Sequence, residues 1–462
     1  SFASTLETVQ LAAARSFADI KAAMEAYILG NRPPKEQVIV GFGYDNNFLA
    51  EKAHPTKALL DEIAVDNPMI ITHKSGHMAV ANSAYLKACG ITADTVDPEG
   101  GKYGRISGSR EPNGYLEETA FFATASIGGA PKEADIFRQI AKAQDVYLSY
   151  GITTAQEGMM KAPNAQNLEA MAETQQLKID IVGFVDLNEA AQVLQNNQEA
   201  KTYHHHFRLG GYKLILDGSP QGKTAWLSQP YEGSDDCAYG SYSDEYVYEL
   251  LKQAIEEQEQ VLVHCNGDAA AEQFITQMEK IKKELPQLFE GQRPVMIHAQ
   301  TVRLDQLPRM KALGMIPSFF VEHVHQWGDV HLKNLGQARA QRISPVASAI
   351  KNDLIYTFHQ DTPVLPPDMM RTIQTAVTRL TAEGVLLGEE ERVTVWEALK
   401  AVTINAAYQY FEENQKGSLA VGKKADMVIL SADPLKTASD KIAAIKILAT
   451  IKDGMVVYQQ SL

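Results

Sequence analysis

Short, almost continuously apolar segments recur along this 462-residue chain and alternate with longer segments of helical pattern. Apolar segments without polar alternation are typical of strands covered on both faces, and strand–helix alternation indicates a parallel sheet. About eight such units predict an α/β fold, a (β/α)8 TIM barrel, with a doubly wound open sheet as the alternative. The predicted strands are QVIVGFG (37–43), PMIITH (68–73), KIDIVGFV (178–185), YKLILDG (212–218), QVLVHCNGD (260–268), PVMIHAQ (294–300), GMIPSFF (314–320) and DLIYTFHQD (353–361).

Two regions interrupt this alternation. Residues 86–120 are rich in glycine, proline and charge, and they predict an inserted loop or subdomain. After about residue 411, short strands are separated by Gly, Asp and Pro, with a hairpin signal at Asp453-Gly454. We therefore expect a barrel domain over residues 1–405, with its insertion at 86–120, and the C-terminal part of a small β-sandwich over residues 406–462.

Composition narrows the classes of partner. The formal net charge is -14 and the pI is about 5.4, which argues against a nucleic-acid or anionic-membrane partner. Three cysteines cannot form a disulfide framework in so long a chain, and no apolar run reaches the ~18 residues of a transmembrane helix. We expect a cytoplasmic protein that acts on a small-molecule substrate, without nucleic acid or membrane, and a homodimer stays open.

Ionisable side chains lie at or near the ends of several predicted strands, where TIM barrels place their chemistry. His264 and His298 close two strands, Asp361 follows a third, and Lys213 lies within a fourth. Imidazole nitrogens and a carboxylate suit zinc, which lowers the pKa of a bound water to ~7. Asp361 could take that water's proton and pass it to a leaving nitrogen. Each of these residues taken alone could have a purely structural role, as a buried, hydrogen-bonded histidine does. The prediction of a metal site therefore rests on the four residues together.

Several segments resemble known sequences. VHCNGDAAAEQFI, MIHAQ, FHQDTPVLPPDMMRTIQTAVTR and GSLAVGKKADMVILSADP resemble segments of the amidohydrolase superfamily. THKSGHMAVANSAYL, NGYLEETA, SYGITTAQEG and YKLILDGSPQGKTAWLSQPY resemble its YtcJ-like branch, amidohydrolase family 3, which includes N-substituted formamide deformylases. The resemblance runs in order along the whole chain. It implies a metal-dependent hydrolase that cleaves a C–N bond of an amide, formamide or cyclic amide.

The resemblance also implies roles for individual residues. His264 and His298 would be metal ligands, and Asp361 a ligand that also shuttles a proton. Lys213 would be a carbamylated bridge between two ions, although an ordinary lysine paired with Asp217 is a close alternative. Glu157 is the other candidate bridge, and a single-metal site stays open. The expected cofactor is Zn²⁺, as one or two divalent metal ions.

The superfamily's remaining ligands, an HxH pair at the end of the first strand, are absent from this sequence. We expect the natural protein to continue upstream of Ser1, with that pair just before it and with strands that pair with the C-terminal ones. The alternative is the loss of half the metal site. His323 and His325 also form an HxH pattern, but they follow the seventh predicted strand, where a surface loop is the favoured interpretation.

Other polar residues have more open roles. His77, in the Gly-flanked loop HKSGH, is predicted to contact substrate, while His73 is equally placed and a structural hydrogen bond is the alternative for both. Asp268 either caps the helix that follows it, which we favour, or orients a ligand. His204–His206 predicts a solvated loop. The competing functions are ester or phosphoester hydrolysis on the same scaffold and a non-catalytic regulatory protein built on a decayed barrel.

Overall fold

The computed structural model describes residues 2–64, 66–124 and 132–460. The fold is mixed α/β, and the chain divides into two compact units, residues 1–139 and 140–462. Each unit contains its own principal sheet, and a third, smaller sheet lies near the C-terminus.

The first unit contains a six-stranded sheet in the order β1-β2-β3-β4-β6-β5. The first three strands are parallel, and the last three add to them in antiparallel fashion. The chain reverses direction between β3 and β4 through a turn in which Gly76 has a φ of 77°. The strands are β1 (Val9–Gln10), β2 (Ile39–Tyr44), β3 (Met69–His73), β4 (Met78–Ala81), β5 (Gly101–Arg105) and β6 (Pro112–Glu118).

This sheet corrects part of the sequence prediction. The predicted strands at 37–43 and 68–73 form, but they pair with each other here and not in the larger sheet of the second unit. The region 86–120, predicted as an insertion, supplies β5 and β6 to the same sheet. Apolar content alone did not distinguish the two sheets, because β2 and β3 are covered by the helices α2 and α3 as a barrel strand would be. The helices of this unit are α1 (Phe2–Thr5), α2 (Phe17–Asn31), α3 (Lys57–Ile63), α4 (Ser83–Ala88) and α5 (Thr119–Phe122), and α6 (Glu133–Ser149) crosses the division.

The second unit contains seven strands in one parallel sheet, in the order of the chain. Every neighbouring pair is parallel, and buried side chains fill β8, β10, β11 and β12 on both faces. The remaining six predicted strands all fall in this sheet, joined by β7. The strands are β7 (Thr154–Met160), β8 (Asp180–Asp186), β9 (Phe207–Ile215), β10 (Val261–Cys265), β11 (Val295–His298), β12 (Ile316–Phe319) and β13 (Thr357–Phe358).

Helices connect most of these strands. Side-chain caps begin some of them, as where Ser243 accepts from the Tyr246 amide and where Thr394 and Glu397 form a capping box. The helices are α7 (Ala162–Glu173), α8 (Ala191–Gln195), α9 (Asp244–Glu256), α10 (Asp268–Glu284), α11 (Pro286–Phe289), α12 (Leu307–Ala312), α13 (His323–Ala340), α14 (Val346–Lys351), α15 (Met369–Thr378), α16 (Val395–Ala401) and α17 (Ile404–Gln409).

The amino end of the seven-stranded sheet is closed by one buried ionic group, which we call the amino-end cluster (Asp180, His206, Lys416, Lys424 and Lys452). Asp180 begins β8, and its carboxylate lies 2.6 Å from the Lys416 Nζ and 3.1 Å from the Lys452 Nζ. His206 contacts the other carboxylate oxygen at 2.7 Å, and Lys424 lies 3.6 Å away. The cluster ties the sheet to the segment that follows α17.

The C-terminal strands form a three-stranded antiparallel sheet in the order β14-β15-β16. The predicted turn at Asp453-Gly454 is confirmed, since both residues have positive φ, 50° and 83°, as a tight hairpin of this type requires. The strands are β14 (Met427–Leu430), β15 (Ile447–Lys452) and β16 (Met455–Gln459).

A search of the described residues for a helix with the length and apolar character needed to cross a membrane found no candidate.

Candidate active site

The carboxyl end of the seven-stranded sheet carries three of the predicted site residues. His264 lies near the end of β10, His298 is the last residue of β11, and Asp361 follows β13 by three residues. β10 and β11 are neighbours in parallel register, and β12 separates β11 from β13. Because parallel strands end at the same edge, the three side chains converge there.

The two imidazoles face each other. His298 Nε2 lies 3.1 Å from His264 Nδ1, and the ring centroids are 4.3 Å apart. Asp361 Oδ2 is 4.0 Å from the same His298 nitrogen. Both histidines are buried, whereas 44% of the Asp361 side chain is exposed. The structure thus brings together two buried imidazoles and a solvent-accessible carboxylate, and their role as metal ligands stays a prediction.

A third histidine, His359, extends this group. Its Nε2 lies 3.3 Å from His298 Nδ1, and its Nδ1 lies 3.0 Å from the hydroxyl of Ser318 on β12. The Phe320 ring packs against His359 with a centroid distance of 5.3 Å. Ser318, His359, His298 and His264 therefore form one continuous row of polar contacts, which we call the histidine row.

Asp217 organises the loop beside His264. Its carboxylate accepts backbone hydrogen bonds from Asn266 at 2.9 Å, Gly267 at 2.6 Å and Trp226 at 3.0 Å. A Cβ at Gly267 would lie 1.7 Å from the Trp226 carbonyl oxygen, so only glycine fits this close approach. Asp217 Oδ1 also lies 3.4 Å from His264 Nε2. One carboxylate therefore fixes both the loop after β10 and the surroundings of the imidazole.

Burial controls protonation in the site. It lowers the pKa of His298 well below the usual histidine value, and the neighbouring His264 and His359 lower it further. Burial likewise lowers the pKa of His359 to about 3. His298 and His359 are therefore neutral at neutral pH, and neutral imidazole is the form that binds metal ions.

Lys213 lies inside β9, opposite Leu262 of β10, and is buried. Burial lowers its pKa to about 8, against an opposing effect of the Asp361 carboxylate. Its amine is consequently much closer to losing its proton than that of a surface lysine. The structure places Lys213 in the interior of the strand, within electrostatic reach of Asp361, and its role as a carbamylated bridge stays a prediction.

Glu157 lies within β7, next to an irregularity in the pairing with β8, and not at the strand end. Burial raises the pKa of Tyr147, and the carboxylates of Glu157 and Asp361 raise it further, while a hydrogen bond with Thr362 opposes the shift. Tyr147 therefore lies near both carboxylates. The structure brings Glu157 to the same neighbourhood as Asp361 through this tyrosine.

The backbone is strained where two of the site residues lie. His298, the following Ala299 and Asp361 have φ values of 74°, 46° and 51°, in the left-handed region that non-glycine residues rarely adopt. Such conformations cost about 1–3 kcal/mol each and concentrate at functional sites. Packing around the carboxyl end of the sheet holds these side chains in positions that the local sequence alone would not favour.

Within the described ranges, no three or more His, Cys, Asp or Glu side chains stand in an arrangement that could hold a metal ion. Among the predicted ligands, the two nitrogens of His264 and His298 that face each other come closest to such an arrangement. Two nitrogens bound to one tetrahedral zinc at ~2.0–2.1 Å would be about 3.3 Å apart, close to the observed 3.1 Å. The chemistry and spacing of this pair fit a divalent metal ion, while Asp361 at 4.0 Å lies beyond ligand spacing.

His77 belongs to the first unit, and Glu118 is its partner there. The His77 Nδ1 lies 2.7 Å from Glu118 Oε2, and both side chains are largely buried. Glu118 has a φ of 50°, so the backbone is strained at this contact. His73 is fully buried, with its Nδ1 2.9 Å from the Ser75 hydroxyl. Both histidines make the structural hydrogen bonds that were the alternative, and a substrate contact by His77 stays a prediction.

The favoured interpretation of Asp268 as a helix cap was wrong. Asp268 is the first residue of α10, whose cap position is Gly267. Its carboxylate instead accepts from the Ser228 amide at 2.9 Å and pairs with Arg303 at 3.2 Å. Arg303 also contacts Glu272 and Asp305, so its guanidinium group already pairs with three carboxylates. This arginine is therefore not free to bind the phosphate of a phosphoester substrate.

The remaining histidine motifs are structural. His323 is buried at the start of α13, in place of the predicted surface loop, and its Nδ1 lies 3.1 Å from the Nε2 of the buried His331. His325 Nδ1 lies 3.1 Å from the Leu380 carbonyl oxygen. In the His204–His206 run, predicted as a solvated loop, His206 belongs to the amino-end cluster.

His359, Ser318 and Asp217 were missed as site residues. His359 follows β13 (Thr357–Phe358) directly in the predicted strand segment DLIYTFHQD, so its place at the strand end was the available signal. Asp217 was considered only as a partner for Lys213. Its three backbone contacts lie 9 to 50 residues away in sequence, so no local pattern could have shown them.

Comparison with known proteins identifies the family. The model of the amidohydrolase family described as Amidohydro_3 matches residues 1–458, and the chain belongs to that family. It is 25% identical over 450 residues to a Bacillus subtilis (strain 168) protein described as the amidohydrolase YtcJ, covering 93% of this chain and 81% of that one. It is 24% identical over 444 residues to the N-substituted formamide deformylase of Arthrobacter pascens, covering 93% and 80%.

A solved structure shares the fold. A metal-dependent hydrolase of Pyrococcus horikoshii OT3 superposes with a TM-score of 0.74 at 23% sequence identity, covering 95% of this chain and 84% of that one. The structure shows the shared fold, and the family match supports a hydrolase as the general class of this protein.

Proposed function

We propose that this protein is a metal-dependent hydrolase that cleaves a C–N bond of an amide, formamide or cyclic amide. The observation that carries the proposal is the pair of buried imidazole nitrogens on His264 and His298, 3.1 Å apart at the carboxyl end of the parallel sheet. Family membership and the formamide deformylase among the relatives support the C–N bond as the target.

In this proposal His264 and His298 hold a divalent ion, with Zn²⁺ the cofactor that suits two imidazole nitrogens and a carboxylate. When bound, such an ion polarises a carbonyl and acidifies a water molecule. The site belongs to a (β/α)8 barrel of which the seven parallel strands form the larger part, and the C-terminal strands belong to a small sandwich. The similar structure from Pyrococcus horikoshii OT3 is described as a metal-dependent hydrolase, which supports the assignment of a metal ion to this site.

Asp361 is the residue that moves the proton. Its carboxylate is exposed to solvent at 44% and lies beside the imidazole pair, so it can accept a proton from an attacking water and donate it to the departing nitrogen. A leaving amine needs that proton, because an amide anion is a very poor leaving group.

In this proposal Lys213, in its carbamylated form, is the preferred bridge between two metal ions. Its pKa of about 8 makes the neutral amine accessible near neutral pH, and a neutral amine is what carbamylation by CO₂ requires. Glu157 is the alternative bridge, supported by its position near Tyr147 and, through it, near Asp361. The substrate is a small molecule, and His77 contacts it in this proposal.

The experiment is a hydrolysis assay on a panel of N-substituted formamides, cyclic amides, carboxylate esters and phosphoesters, after loading with Zn²⁺ and after removal by a chelator. We expect release of amine from the amide substrates, lost with chelation and restored by Zn²⁺. His331→Gln is the matched control, since it alters a buried histidine on α13. Hydrolysis confined to esters or phosphoesters would contradict the proposed bond, and equal turnover with and without metal would contradict the proposed cofactor.

A further inference from the structure

The histidine row indicates how the proposed metal ligands are held in place, and this inference rests on the proposed metal site. Its members contact one another through alternating ring nitrogens: Ser318 Oγ with His359 Nδ1, His359 Nε2 with His298 Nδ1, and His298 Nε2 with His264 Nδ1. A neutral imidazole has one nitrogen that donates and one that accepts. The position of one proton in the row therefore sets the positions of the others.

His264 anchors the row. Its Nε2 lies 3.2 Å from the Gly218 carbonyl oxygen and 3.4 Å from Asp217 Oδ1, and both of these oxygens only accept hydrogen bonds. The Asn266 side-chain nitrogen also lies 3.1 Å from this Nε2, but it donates to the Gly218 carbonyl oxygen at 2.8 Å. The two acceptor oxygens favour the tautomer with the proton on Nε2, in which His264 Nδ1 presents a lone pair towards His298 Nε2, as binding of a cation by Nδ1 also requires.

With the His264 proton on Nε2 and no cation bound, one arrangement satisfies the row. His298 donates from Nε2 to His264 Nδ1, His359 donates from Nε2 to His298 Nδ1, and the Ser318 hydroxyl donates to His359 Nδ1. Every nitrogen in the row then has a partner of the opposite kind, as buried polar groups require.

A cation bound by His264 Nδ1 and His298 Nε2 needs a lone pair on both. His298 must then carry its proton on Nδ1 and donate it to His359 Nε2, and His359 must donate from Nδ1 to the Ser318 hydroxyl oxygen. Each imidazole keeps one proton in both arrangements. The Ser318 hydroxyl also keeps one proton, so the two arrangements hold the same number of protons and differ only in which atom of each group carries its proton and in where the hydroxyl points.

We infer that His359 is a positioning residue for the metal site. It accepts the Nδ1 proton of His298, and so holds His298 in the tautomer whose Nε2 faces the ion. Ligating histidines commonly donate their second ring N–H to such a partner, and losing the partner typically costs ~10–100-fold in metal affinity or activity. Ser318 completes the arrangement because a hydroxyl can both donate and accept.

The test measures the affinity of the full chain for Zn²⁺ by chelator competition and records the visible spectrum of the Co²⁺ form. We expect His359→Phe, which cannot accept a hydrogen bond, to bind Zn²⁺ ~10–100-fold more weakly and to change the Co²⁺ spectrum. His359→Gln, whose amide oxygen can accept from His298 Nδ1, should recover much of the affinity. His331→Gln, at a buried histidine outside the row, should bind like the wild type.

The outcomes separate the two proposals. A wild-type chain that binds no Zn²⁺, or a His264→Ala variant that binds it as tightly as the wild type, would overturn the metal site itself. Loss of binding in His264→Ala, with His359→Phe within about twofold of wild type and an unchanged Co²⁺ spectrum, would overturn the role of His359 alone. Equal losses in His359→Phe and His359→Gln, in variants with wild-type thermal unfolding, would also contradict it, since the hydrogen-bond acceptor would then be irrelevant.

Discussion

The two ends of the seven-stranded sheet hold their buried polar groups in opposite ways. At the carboxyl end, His298 and His359 are neutral, and their neighbours include other imidazoles. At the amino end, the buried carboxylate of Asp180 contacts His206 and the lysines of the amino-end cluster.

The difference separates a buried cluster that stabilises the fold from a group of side chains that is available for chemistry. The lysines and the histidine around Asp180 tie the sheet to the C-terminal segment, and further carboxylates beside the lysines, Glu412 and Asp426, help to balance the charge. The carboxyl end instead holds uncharged imidazoles that contact one another, and 44% of the Asp361 side chain beside them is exposed. Parallel α/β folds commonly divide their ends in this way, with chemistry at the carboxyl ends of the strands.

The largest effect expected at the carboxyl end is that of Asp361→Asn. The substitution keeps volume and tolerates the left-handed backbone, but it removes the group that transfers the proton. We expect kcat on an amide substrate to fall ~10²–10⁴-fold with little change in thermal unfolding. Asp353→Asn is the matched control, because Asp353 has a φ of 54° and is exposed. Near-normal turnover in Asp361→Asn would remove Asp361 from the mechanism.

At the amino end the same substitution should act on stability. Asp180→Asn removes the carboxylate that Lys416 and Lys452 share, but the two lysines keep other partners, Glu412 and Asp426 respectively. We therefore expect a loss of about 1.5–3 kcal/mol, as for a hydrogen bond to a charged group. Denaturant unfolding at neutral pH measures this loss, and any folded protein should retain its kcat. The control is Asp145→Asn, at an exposed pair with Lys178, for which we expect no measurable change in stability. Unchanged stability in Asp180→Asn would contradict the division between the two ends.

The pH dependence of stability should report the same cluster. Burial favours the protonated carboxyl of Asp180, but the hydrogen bond with His206 and the charges of Lys416 and Lys452 outweigh it and lower the pKa. A carboxyl with a lowered folded pKa stabilises the protein above its unfolded value of ~3.9, and the contribution is lost as pH falls towards the folded value. The free-energy difference between wild type and Asp180→Asn should therefore shrink below about pH 4. A difference that is constant from pH 6 to pH 3 would exclude this linkage.

The smallest expected effect is that of Ser318→Ala at the far end of the histidine row. It removes one hydrogen bond to His359 Nδ1, worth about 1 kcal/mol, so Zn²⁺ affinity should fall about 2–10-fold. Chelator competition measures it beside His359→Phe. A loss larger than that of His359→Phe would show that Ser318 acts directly and not through His359.

Sequence predicted much of the second unit because its strands carry their signal locally. Six of the eight predicted strands lie in the parallel sheet, and His264, His298 and Asp361 converge at its carboxyl end. The assignment of 37–43 and 68–73 to the same sheet was wrong, since strand partners depend on distant residues that local apolar content does not encode. The position of His359 directly after β13 was a usable signal that the prediction did not exploit.

The amino-end cluster could not be predicted at all. Asp180 meets Lys416 and Lys452 across more than 230 residues, and each lysine resembles a solvated surface charge in the sequence. The positive φ of His298 is equally hidden, because nothing in MIHAQ differs from an ordinary strand end. Both features arise from tertiary packing and not from local propensity.

The central claim is that His264 and His298 together hold a divalent metal ion. The most direct measurement is the metal content per chain of wild-type protein, His264→Ala and His298→Ala after equilibration with Zn²⁺ and removal of free metal. Thermal unfolding of the same samples establishes that each variant is folded. We expect bound zinc in the wild type and a large loss in both variants, because removing either imidazole breaks the nitrogen pair. Unchanged zinc in both folded variants would contradict the claim.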